Sequence, residues 1–93
     1  MNGKLRARLR SMAQPLDCVL YIGKDGLTAN VIESADQALT ARELIKCSVQ
    51  QNCELTARQA SDALCEALGA DGISCTGRKF VLYRMSEDNI LGL

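Results

Sequence analysis

The run Cys18, Val19, Leu20, Tyr21, Ile22 leads directly into Gly23, Lys24, Asp25 and Gly26. Leu27, Val31, Ala35 and Ala38 then recur at helical spacing, with Ile32 and Leu39 on the adjoining row. Five successive apolar residues between Asp17 and Gly23 read as a short buried strand. The glycine-bounded tetrapeptide turns the chain, and Thr28 is placed to cap a helix that ends near Thr40. This strand-turn-helix unit constrains the fold most, because a strand reached through a helix joins the sheet by a crossover.

The next strand falls in residues 43–49, where Ile45, Cys47 and Val49 alternate with Lys46 and Ser48, one face buried and one wet. Residues 50–55 form a loop. Thr56 and Gln59 have the spacing of a capping box, and Ala60, Ala63, Leu64, Ala67 and Leu68 give that helix its apolar face before Gly69 ends it. Residues 73–76 and 79–84 read as two strands about Gly77 and Arg78, with glycine at the first turn position of a type II′ hairpin. Ahead of these elements, Leu5, Leu9 and Met12 form a narrow stripe flanked by Lys4, Arg6, Arg8 and Arg10, a basic amphipathic helix that Pro15 ends. The fold class is α/β, an α+β sandwich of order αβαβαββ with a four-stranded mixed sheet. The wet face of the second strand implies that the second and third helices cover one side of the sheet only. The stripe on the first helix does not say where that helix packs.

With 93 residues the chain makes one domain, residues 1–93, with a core over about residues 3–84 and a polar tail at 85–93. Its aromatics are Tyr21, Phe80 and Tyr83, so the core is built from aliphatic side chains. Both tyrosines stand in strand patterns and are expected in or half in the core, which leaves little for aromatic stacking. The chain has no His, and its five cysteines include no CxxC pair, so neither a metal nor any other cofactor is expected. The start of the chain is basic without entering an apolar run, which is not a secretory signal, and no stretch is long enough for a membrane span. A cytoplasmic, monomeric protein with reduced thiols is expected.

Eleven basic and eleven acidic residues cancel, but they are not mixed evenly. Lys4, Arg6, Arg8 and Arg10 have no acid among them, nor do Arg78, Lys79 and Arg84, while Glu33, Asp36, Asp62, Glu66, Asp71, Glu87 and Asp88 lie elsewhere. A neutral chain segregated in this way carries a strong local field. The Gly23–Gly26 turn, between a strand and a helix, offers outward backbone amides to an anion, and Lys24 adds a charge; an ordinary Asp-Gly turn has the same residues. The hairpin at Arg78 and Lys79 and the basic first helix each read singly as a solvated surface. Together, the three features can line one phosphate-tracking surface. No nucleophile stands with a base, and the carboxylate pairs Asp62/Glu66 and Glu87/Asp88 fall on a helix surface and in the tail, so neither an enzyme nor a small-molecule substrate is indicated.

The segments YIGKDGLTANVI, RELIKCSVQQNC and TGRKFVLYR, in this order, resemble the CRM domain (chloroplast RNA splicing and ribosome maturation). The single-domain length is similar to that of its bacterial stand-alone members, the YhbY-like proteins. The resemblance covers about residues 3–84 and departs at Cys47, where an aliphatic residue is usual, at Gln14 and Pro15, where His is frequent, and in a tail without a basic run. It implies a fold similar to the C-terminal domain of translation initiation factor three. It also implies an RNA-binding, non-catalytic protein associated with precursors of the large ribosomal subunit, and so with its rRNA. The family's GxxG loop is matched by Gly23, Lys24, Asp25 and Gly26, with charge neutralisation by Lys4, Arg6, Arg8, Arg10, Lys24, Arg78, Lys79 and Arg84. Recognition of shape and backbone is expected rather than base readout. A protein-binding adaptor on the ribosome, using the open sheet face with Lys46 and Ser48, is the alternative.

Overall fold

In the computed structural model, which describes residues 1–93, the elements follow the expected order. Helix α1 spans Gly3–Ala13, β1 Cys18–Ile22, α2 Ala29–Arg42, β2 Leu44–Val49, α3 Ala57–Leu68, β3 Asp71–Thr76 and β4 Lys79–Tyr83. Each helix starts where a short polar side chain satisfies a free first-turn N–H. Asn2 accepts from Leu5 N at 2.8 Å, Thr28 from Val31 N at 3.2 Å and Thr56 from Gln59 N at 3.1 Å. Gln59 Oε1 in turn accepts from Thr56 N at 2.9 Å and completes the capping box. Gly69 ends α3 in the left-handed conformation.

The sheet is mixed and four-stranded, in the order β1-β2-β4-β3, with β1 parallel to β2 and the other neighbours antiparallel. Helices α2 and α3 cover one face, where Ala35, Leu39, Ala60 and Leu64 pack with Ile22, Ile45, Cys47, Phe80 and Leu82. Cys47 lies on the buried row between Ile45 and Val49, as its alternation predicts. Burial, with a contribution from nearby Cys18, pushes its thiol pKa up to about 12.

The other face is not open along its whole length. Leu9 and Ala13 of α1 close over Leu44, Ile73, Val81 and Tyr83, with Leu5 and Met12 at the margin. Leu44 shares a face with Lys46 and Ser48 yet is 5% exposed, so the wet face inferred from β2 is dry at its first residue. The helix is pinned across the strands: Arg6 donates to Gly72 O of β3, and Lys46 Nζ of β2 donates to Gln14 O at 3.2 Å.

Two further expectations are corrected. Strand β1 lies at the sheet edge, and while Leu20 and Ile22 are buried, Tyr21 is 58% exposed; only Tyr83, at 6%, joins the core. The residues after 84 also fold back on the domain, with Leu91 and Leu93 packed against the α1 cluster. Their anchor is Glu43, a fully buried residue with φ of 66°. Its carboxylate accepts from Ser86 N at 2.7 Å, Ser86 Oγ at 2.6 Å and Leu91 N at 2.9 Å. Burial alone would raise its pKa, but the Ser86 hydroxyl and the N–H groups of Leu91, Ser86 and Ile90 outweigh it and hold the carboxyl at about 2.

Candidate nucleic-acid interface

Strand direction brings the two glycine turns to one end of the sheet. Strands β1 and β2 finish there, and β4, antiparallel to them, begins there. Gln50 N donates to Ile22 O and Val49 N to Arg78 O, both at 2.8 Å, which ties the loop after β2 to the end of β1 and to the hairpin.

Within the Gly23–Gly26 loop, Gly26 N donates to Gly23 O at 3.0 Å, and Gly26 has φ of 70°, a conformation that favours glycine. A side chain at Gly23 would begin 3.2 Å from Gln50 Oε1. Lys24 and Asp25 therefore occupy the tip, both exposed, and their N–H groups donate to no protein acceptor. Beyond them Thr28 caps α2, whose first-turn amides carry partial positive charge toward this end. In the hairpin Gly77 has φ of 61° while Arg78 has a negative φ, as a type II′ turn requires, and Arg78 and Lys79 are exposed.

Of the α1 cations, Arg10 borders the same region, in a cleft shared with Lys46, Thr76 and Lys79. Lys4 and Arg8 are exposed on the helix, and Arg6 is half-buried on the Gly72 carbonyl. Arg84 stands apart. It follows the last residue of β4, at the opposite end of the sheet. Its NH1 donates to Asp36 Oδ1 at 2.8 Å and Leu68 O at 3.0 Å, and its NH2 to Asp36 O and Thr40 Oγ1, both at 3.0 Å. Four of its five N–H groups thus join β4 to α2 and α3.

Two residues that sequence reasoning left out of the RNA-contacting set stand beside this region. Lys46, assigned to the alternative adaptor surface, lines the cleft with Arg10 and Lys79. Tyr21, expected in or half in the core, heads a row across the sheet through Ser48 and Lys79 to Thr76. No local signal marked Tyr21: the pleat sets it opposite Leu20 and Ile22, but which face is covered follows from the strand order and not from the apolar run.

A four-stranded mixed sheet with one helix on one face, two on the other and exposed cations beside two glycine turns at one end defines a small α/β domain. The chain belongs to the CRS1 / YhbY (CRM) domain family, which matches residues 1–84. It is 38% identical over 89 residues to the Bacillus subtilis (strain 168) protein named Probable RNA-binding protein YqeI, covering 96% of this chain and 93% of that one. It is 31% identical over 88 residues to a Haemophilus influenzae protein named RNA-binding protein, covering 95% and 89%. The solution structure of hypothetical protein SAV1595 from Staphylococcus aureus superposes with a TM-score of 0.70 at 34% identity, covering 94% of this chain and 91% of that one.

Proposed function

We propose that the protein is a non-catalytic RNA-binding protein that holds the phosphate backbone at the rim formed by the Gly23–Gly26 loop, Arg78, Lys79 and Arg10. The convergence of these separately encoded cations at one end of the sheet carries the reading. Unpaired amides at Lys24 and Asp25 supply donors that an anion can use without displacing a protein bond. Lys4 and Arg8 extend the positive surface along α1. Arg6 and Arg84 contribute to the fold first, and Arg84 is left out of the interface. The names of the relatives support RNA as the partner. The likeness to stand-alone CRM proteins extends the proposal to precursors of the large ribosomal subunit, met by a monomer in the cytoplasm.

The test is RNA affinity measured beside thermal unfolding. Lys24→Gln removes one phosphate neutralisation and is expected to weaken binding by about two- to five-fold. Lys24→Asp sets two adjacent carboxylates against the amides a phosphate must reach, and is expected to cost about ten-fold more. Both variants keep the glycines and are expected to melt with the parent. A folded Lys24→Asp protein that binds RNA as tightly as the parent would reduce the loop to a turn.

A further inference from the structure

We propose that Tyr21 is a stacking platform for one unpaired RNA base, whose flanking phosphates are held by Lys79, Lys46 and Arg10; this rests on the RNA-binding reading above. Five large hydrophobic side chains are exposed, and Met1, Leu16, Met85 and Ile90 all lie outside helices and strands. Tyr21 alone is held by regular backbone. Its partner in the parallel ladder is Ser48, and its neighbours Leu20 and Ile22 are locked into the opposite face, so the direction of its ring is fixed by the pleat.

The row beside Tyr21 consists of Ser48, Lys79 and Thr76, spaced at about 4.8 Å per strand, which puts Lys79 roughly 10 Å from the tyrosine. That row contains no carboxylate. Asp25, in the neighbouring loop, is the acid within two residues of the adjoining glycine, and Lys24 precedes it. An aromatic flanked by small polar side chains and then by cations suits a nucleotide, which brings a flat π-face and a phosphate at about this separation. An apolar protein surface would have to strip water from Lys46 and Lys79 to cover the same ring. The faces of bases inside an A-form helix are stacked on their neighbours and closed to a side chain, so the occupant is unpaired. Phe80 and Tyr83 are buried, so no second exposed ring is available and the platform takes a single base.

The chain has no Trp and two Tyr, of which Tyr83 is buried out of reach of RNA, so a contact-dependent change in tyrosine emission reports on position 21. The experiment titrates the whole protein with an eight-nucleotide oligoadenylate and with an RNA duplex lacking unpaired bases, following both tyrosine emission and affinity. Expected results are quenching by the oligoadenylate, an affinity loss of about 5- to 100-fold in Tyr21→Ala, and affinity within about two-fold of the parent in Tyr21→Phe. Tyr21→Leu, which keeps apolar bulk without a flat ring, is expected to behave as Tyr21→Ala. The duplex is expected to bind all four proteins alike. If the parent binds neither RNA, the RNA-binding reading itself fails. If the parent binds and the folded Ala and Leu variants bind the oligoadenylate equally well, the stacking role is overturned, and the face passes to a protein partner.

Discussion

Glu43 combines three features: full burial, a positive φ and a carboxylate that accepts bonds from Ser86 and Leu91. Because its folded pKa of about 2 lies below the ordinary 4.5, the unfolded chain binds the proton more readily. The stability this residue contributes is therefore complete above pH 4.5 and is lost as pH falls from there toward 2. Glu43→Gln is expected to melt lower than the parent at neutral pH, with the gap narrowing across that window; melting curves from pH 7 to pH 2 check it. Amide exchange at Ser86 and Leu91 is expected to speed up in the same variant. A different residue-scale prediction concerns Cys47, which has neither exposure nor an accessible thiolate. Alkylation of the native protein, read by mass spectrometry, is expected to reach exposed Cys75 first and Cys47 last. Cys47→Ser is expected to cost about 1–3 kcal/mol of stability by burying a hydroxyl among Ile45, Val49 and Phe80.

Among the elements, Arg84 acts as a clamp that connects the end of β4 to the last turn of α3 and to two positions on α2. Its partner Asp36 is half-exposed, so the hydrogen bonds to carbonyls matter more than the charge pair. Arg84→Ala is expected to lower stability by about 1–3 kcal/mol while leaving RNA affinity within about two-fold, measured by denaturant titration and by binding. The elements themselves were legible in the sequence because their signals are local: a capping box at Thr56, helical spacing after Thr28, a two-residue turn at Gly77. What was not legible depends on neighbours that periodicity cannot name. The stripe of α1 predicts a buried face but not the floor it meets, which is assembled from β2, β3 and β4. The apolar run of β1 looks buried on both sides, since nothing in five residues tells an edge strand from a central one. The polar segment after Arg84 hides the fact that its donors match Glu43. For the site, the glycine turns and basic residues could be read one by one, whereas their shared location required the strand order. The strand order likewise puts Lys46 in the cleft beside Lys79 and Tyr21 on an edge strand, neither of which a single position reveals.

At the scale of the whole molecule, net charge is zero, yet Lys24, Arg78 and Lys79 stand at one end of the sheet, with Arg10 and Lys46 in the cleft beside Lys79. Binding that neutralises about four phosphates releases counterions with a logarithmic salt slope of roughly −3, so RNA affinity is expected to fall about 50-fold between 50 and 200 mM salt. Salt-independent binding in a filter or fluorescence titration would contradict the electrostatic reading. The order β1-β2-β4-β3 has another consequence, for how the chain comes to be folded as it is made. Residues 79–83, translated after the other three strands, form an interior strand with partners on both sides, and Val81 and Tyr83 complete the surface on which α1 rests. Until that strand has left the ribosome, β2 has one neighbour, β3 has none and the first helix has only part of its floor. The domain therefore assembles after translation of most of its length, as a single cooperative unit, and a nascent chain stopped before Lys79 has no stable sub-structure to fall back on.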